Sequence, residues 1–175
     1  MSERLRNFPI SFFAVVMGLA GATIAWQRAE ALLSWPDAVS TALLVITAAI
    51  FLAIFSIYTA KLVKYREEIK IEFKNITKLS FFPTISISLL LLGIASMELY
   101  PGLSNLLWIV GTAVHFCFSV AVISIWIRHP SLEINAISPA WFIPVVGNIL
   151  VPVAGVAYAS VELSWFFFSI GLVFW

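Results

Sequence analysis

Charged residues are scarce in this sequence. Asp, Glu, Lys and Arg make up 11% of its 175 residues, against 62% for apolar types, and the mean hydropathy is +1.03. Soluble globular chains carry about 25% charged and roughly 45–50% apolar residues. A domain this small cannot hide such an apolar excess in a core, so a soluble globular fold is excluded and a lipid bilayer is the partner the composition demands. The formal net charge is +1. No basic field argues for a nucleic-acid partner.

Reactive side chains are equally sparse. The single cysteine, Cys117, excludes an intramolecular disulfide. It sits in an apolar run and reads as a packing residue. Two scattered histidines, His115 and His129, are poor material for a catalytic triad. The glycines have no Walker or dinucleotide context, and no metal-ligand cluster is visible. No enzyme, cofactor or metal is expected.

What the sequence has is long apolar runs. Crossing about 30 Å of hydrocarbon takes about 20 residues of helix. Five segments meet or approach that, at about 8–26, 37–62, 81–97, 103–127 and 140–159. They lack the polar alternation of a membrane barrel, so they read as helices. The first follows Arg4 and Arg6 and contains Ala20-Gly21-Ala22, which imitates a signal-peptide cleavage site. Its length and the spans after it favour an uncleaved first helix. A sixth run, at 163–175, is too short to span and reads as a helix cut off midway. The expected architecture is one all-α transmembrane domain of five full spans and a truncated sixth.

Alternate loops hold nine and one Lys or Arg, the one being Arg28. The positive-inside rule then places the N-terminus in the cytoplasm. The basic loop after span two puts Leu62, Tyr65, Ile69 and Phe73 at amphipathic spacing. It reads as a solvated connector, with a lipid-surface segment as the alternative.

Inside the spans, no Asp, Glu, Lys or Arg lies clearly at mid-membrane depth, which weakens a proton-coupled mechanism. Glu98 and Glu162 read as interfacial anchors. His115 is the one imidazole well inside a span and reads as hydrogen-bonded to a neighbour. Prolines favour the odd-numbered spans: Pro9 and Pro83 near the starts of spans one and three, Pro144 and Pro152 inside span five. Small residues gather there too, at Ala14, Gly18, Gly21, Ala22, Ala25, Ser86, Ser88, Gly93, Gly147, Ala154 and Gly155. Freed backbone groups at a kink need protein or water, so odd spans are expected to face a cavity, with close helix packing as the competing explanation. Pore-lining candidates are Gly18, Gly21, Pro83, Ser86, Pro144, Gly147 and Pro152.

The segments FPISFFAVVMGLAG, FFPTISISLLLLG and SPAWFIPVVGNILVPVAG resemble the tellurite-resistance/dicarboxylate transporter family. That family includes bacterial TehA-type proteins and the slow anion channels of plant guard cells. The resemblance implies a ten-helix fold of five hairpins around a central pore, lined by odd-numbered helices. It also implies homotrimers in a bacterial inner (plasma) membrane, and passage of small inorganic or organic anions. A pore occluded by a phenylalanine of the ninth helix has no counterpart here. On this resemblance the chain is expected to be a truncated or partial family member. A carrier for C4-dicarboxylates or tellurite-resistance efflux is the first alternative. A non-conducting membrane fragment or scaffold is the second.

Overall fold

The computed structural model describes residues 2–128 and 138–175. Within them the regular structure is helical: α1 (Ser2–Arg6), α2 (Phe13–Leu33), α3 (Ala38–Lys64), α4 (Arg66–Lys74), α5 (Ile76–Leu79), α6 (Thr84–Ala95), α7 (Pro101–Arg128), α8 (Ile143–Tyr158) and α9 (Val161–Phe174). Short 3₁₀ turns at Ile10–Phe12 and Pro139–Phe142 lead into α2 and α8. The protein is an integral helical membrane protein. Five helical stretches are long and apolar enough to cross a bilayer: Ile10–Leu33, Ala38–Lys64, Ile76–Ala95 (α5, a turn and α6), Pro101–Arg128 and Pro139–Tyr158. The sixth apolar helix, α9, has 14 residues. His129, the second of the two histidines, lies outside the described residues.

Consecutive spans pair as hairpins, α2 with α3, α6 with α7 and α8 with α9. The first two hairpins are joined where α2 packs against α6, and the third is joined to the second where α8 packs against both α6 and α7. Burial follows from this order. In the most apolar stretch of each span, 67% of the α6 stretch is buried but only 22% of the α3 stretch. A hydrophobic cluster from all three first helices marks the junction, with Ala20, Ile87 and Leu91 at its centre and Met17, Ile24, Ile94, Ile143 and Leu150 around them.

The prolines act differently from the sequence expectation. Pro9 and Pro83 stand at the N-caps of their helical segments, and Pro144 lies in the first turn of α8. A helix start has no N–H partner to lose, so proline is tolerated there without a kink. Only Pro152 lies inside a helix. Cys117 also departs from expectation, since it is exposed on α7 and not packed.

Three buried charged side chains, Glu30, Lys61 and Glu72, are structural. Glu30 is buried near the end of α2, and its Oε1 accepts from the backbone N–H groups of Val39 (3.2 Å) and Ser40 (3.3 Å) and from Trp26 Nε1 (3.0 Å). It caps the first turn of α3 from across the hairpin, where Asp37 makes no side-chain cap. The turn itself closes through left-handed Ser34, which lets the Trp35 N–H reach the Glu30 carbonyl at 2.9 Å. Glu30→Ala should lower stability by about 1–2 kcal/mol. Glu30→Gln, which keeps an acceptor oxygen, should cost less. Thermal unfolding in detergent measures both.

At the other end, Lys61 of α3 is 1% exposed. Its Nζ donates to Glu72 Oε1 of α4 (2.9 Å) and to the Phe8 carbonyl (2.7 Å), while Tyr58 donates to Glu72 Oε2 (3.1 Å). Arg6 pairs with Glu68 nearby. Thus α4 is docked on the protein: Ile69 is buried and the Phe73 ring meets Phe82 edge-on at 5.1 Å. The amphipathic face expected from Leu62 to Phe73 is not continuous. Tyr65 breaks the helix (φ −132°, ψ 52°), leaving Leu62 on α3 and exposed.

Candidate site between the first helices of the hairpins

The motif SPAWFIPVVG builds the entrance to α8. Ser138 Oγ accepts from the Ala140 N–H (3.3 Å) and so caps the 3₁₀ turn. Trp141 then stacks on Trp126 of α7, with ring centres 4.8 Å apart and planes 14° apart. This holds the Pro144 carbonyl against α7.

That carbonyl is the centre of a buried polar network. His115 Nε2 lies 3.1 Å from it. A carbonyl oxygen only accepts, so Nε2 carries the hydrogen. Ser119 Oγ (3.2 Å) and Asn148 Nδ2 (2.9 Å) donate to the same oxygen, and Asn148 Nδ2 also donates to Ser119 Oγ (3.2 Å). On the far side of the imidazole, Nδ1 is left as an acceptor 3.0 Å from Ser86 Oγ, whose single hydroxyl proton is within reach of both Nδ1 and the Pro83 carbonyl (2.8 Å) and serves one of them at a time. One ring thereby connects the proline starts of α6 and α8. His115, Ser86, Ser119 and Asn148 are all buried.

The network leaves acceptors over. Asn148 Oδ1 is buried without a hydrogen-bond partner. Pro152 has no N–H, so the Asn148 backbone carbonyl four residues earlier loses its usual helical donor. The chemistry available is hydrogen bonding. Among the described residues, no group of three or more His, Cys, Asp or Glu is placed to hold a metal ion.

The structure separates the sequence candidates into two groups. Pro83, Ser86, Pro144 and Gly147 are buried in or beside the network. Gly147 has room for no side chain, since a Cβ there would lie 2.0 Å from His115 Cε1. Gly18 and Gly21 are exposed, and a Cβ at either would meet nothing within 4 Å. Ala14, Ala22 and Ala25 are also exposed, and together these residues make an open small-residue face on α2. Pro152 is half-buried. Gly93, Gly111, Gly155 and Gly171 instead lie where a Cβ would press on a neighbouring helix, at 2.4–3.3 Å from its nearest atom.

Sequence reasoning missed Ser119 and Asn148, and it left His115 without named partners. Both of the imidazole's contacts lie 29 residues away along the chain. It also missed Met17, Ile94, Ile143 and Leu150, which surround the three-helix junction. In uniformly apolar spans nothing distinguishes them from lipid-facing residues.

The sequence profile of SLAC1, the voltage-dependent anion channels, matches residues 7–175. The chain belongs to this family. The match runs through all five spans and α9, and the family is one of anion channels and transporters. The chain is 28% identical over 157 residues to an uncharacterized transporter of Methanocaldococcus jannaschii, covering 89% of this chain and 46% of that one. It is 26% identical over 168 residues to a tellurite resistance protein TehA homolog of Haemophilus influenzae, covering 95% and 51%. It is 24% identical over 176 residues to the S-type anion channel SLAH3 of Arabidopsis thaliana, covering 96% and 28%. The chain thus spans about half the length or less of the curated relatives it matches.

Proposed function

We propose that this chain supplies one side of a pathway by which small anions cross the membrane, with α2, α6 and α8 lining it. The observation that carries the reading is the arrangement of the hairpins. Their first helices adjoin one another through α6, while α7 packs on both α6 and α8 and α3 and α9 pair with α2 and α8. Gly18 and Gly21 offer an unobstructed face of α2 to the pathway. Pro83, Ser86, Pro144, Gly147 and Pro152 shape α6 and α8 around it. The junction is lined by uncharged side chains, so selection by fixed charge is weak and anions that shed water readily are favoured. The amino ends of the three helices lie at the end rich in Lys and Arg, where helix dipoles add weak positive potential. That end is cytoplasmic in this reading, and the N-terminus with it. The membrane is a bacterial inner membrane and the assembly a homotrimer.

Reconstitution into liposomes tests the reading. Chloride or nitrate should leave loaded vesicles in proportion to the gradient, without saturation. Saturable malate uptake driven by a proton gradient would replace it with the carrier reading. Complete absence of flux would leave the scaffold reading. Cross-linking in native membranes should give a three-copy species.

A further inference from the structure

The end of the molecule opposite the basic loops has an unusual electrostatic problem. Helices α2, α6 and α8 all finish there, at Leu33, Ala95 and Tyr158. A helix carboxyl end carries about half a negative charge. Three such ends therefore repel an approaching anion, and Glu30, Asp37, Glu98 and Glu162 add carboxylates at the same end, Glu98 being the one that lines the cavity described next. One cation is available to offset them. Among the described residues, Arg28 is the only Lys or Arg at that end.

Its surroundings form a built cavity. A pocket of about 120 Å³ lies between the three helices, lined by Ile24, Gln27 and Arg28 of α2, Ala95 and Glu98 at the end of α6, and Val153 of α8. Gln27 Nε2 donates to the Ala95 carbonyl at 2.7 Å, which ties α2 to α6 and satisfies one of the carbonyls left over at the α6 carboxyl end. Arg28 is exposed and makes no ion pair among the described residues. Ile24 continues into the apolar three-helix cluster beside the cavity. The cavity is thus the charged mouth of the neutral junction.

We propose that Arg28 in this cavity is an anion-binding site, taking a small monovalent inorganic anion such as nitrate or chloride, and that Glu98 opposes it and limits its affinity. As an entry site for transport it rests on the pathway reading above. As a binding site it does not.

The experiment uses the purified chain and its Arg28→Gln, Arg28→Lys and Glu98→Gln variants, with two readouts. The first is the melting temperature in detergent as nitrate replaces gluconate at constant ionic strength, since a ligand that binds the folded state raises it. The wild type and Arg28→Lys should be stabilised by nitrate, Glu98→Gln more so, and Arg28→Gln not at all. The second is nitrate flux in liposomes. Arg28→Gln should reduce it roughly three- to ten-fold at about 10 mM salt, where the Debye length is about 30 Å, and by far less at about 1 M, where it is about 3 Å. An Arg28 that only neutralises the end of its own helix would lower the melting temperature equally in every anion. That result overturns the proposal, as does an unchanged nitrate titration in Arg28→Gln. Arg28-dependent stabilisation without wild-type flux would uphold the site and remove the transport reading.

Discussion

We expect Gly147→Ala, the addition of one methyl group, to destabilise the protein by about 2–4 kcal/mol. The new Cβ would meet His115 Cε1 at 2.0 Å and Nε2 at 2.3 Å. The obstacle is a planar ring held at both nitrogens, by Ser86 and by the Pro144 carbonyl. It cannot turn aside as the tip of a flexible side chain would. Overpacking a core costs about 1–3 kcal/mol. Displacing the ring also strands buried polar groups on α6 and α8, at about 1–3 kcal/mol for each group left unsatisfied. Removing the ring should relieve the clash, so His115→Ala with Gly147→Ala should cost less than the sum of the two single changes. Melting temperatures of the three variants measure that coupling. Strict additivity would show that residue 147 does not press on the imidazole. In flux assays Gly147→Ala should also reduce conduction, through the shape of α8 and not by filling an open lumen.

Breaking the ion pair beneath the basic end should have an effect of similar size. Lys61→Met leaves Glu72 buried without its cation, and Glu72→Gln leaves Lys61 buried without its anion. Losing one partner of a buried pair costs about 3–5 kcal/mol, because the remaining charge has no water. Here the cost is attached to one element. The pair, with Tyr58 and the Phe8 carbonyl, holds α4 against the end of α3 and the segment that leads into α2. Either single variant should release α4 first, seen as faster amide exchange over residues 66–74 and new proteolytic cleavage there. Replacing both partners together, as Lys61→Met with Glu72→Leu, should recover much of the loss, since an apolar pair of similar size carries no desolvation cost. A double variant as unstable as either single one would show that the Lys61–Phe8 contact is what matters. The exposed Lys70–Glu67 pair is the contrast. Lys70 holds the Glu67 carboxyl below its usual range, yet breaking so exposed a contact should leave α4 in place.

The outline of the molecule was legible in the sequence. The apolar runs are long, uninterrupted and bounded by charge, so their helical spans follow from the thickness of a bilayer and the need to satisfy every backbone group inside it. The family was legible as well, in motifs where serine, proline and glycine recur at the span starts. The role of those motifs was harder to read. Pro83 and Pro144 look like kinks in a one-dimensional list, but each stands where a helix begins. A shift of a few residues in a helix boundary changes a proline from a disruption to a start, and local sequence places such boundaries poorly.

Some distinctions have no local signature at all. Gly18 and Gly147 are the same residue in equally apolar settings, yet one faces open space and the other lies against an imidazole. Lys61 and Glu72 occur in a stretch full of Lys and Glu, and only the fold of α4 onto α3 buries this one pair and leaves the others in water. The sequence by itself determined that the chain is a helical membrane protein and the family to which it belongs, because hydrophobic length and motif are properties of contiguous residues. Only the tertiary structure decided which polar groups meet at His115 and Pro144, which glycines are packing contacts, and that α4 is docked. Those are relations between helices, set by packing across tens of residues, and no contiguous stretch of sequence encodes them.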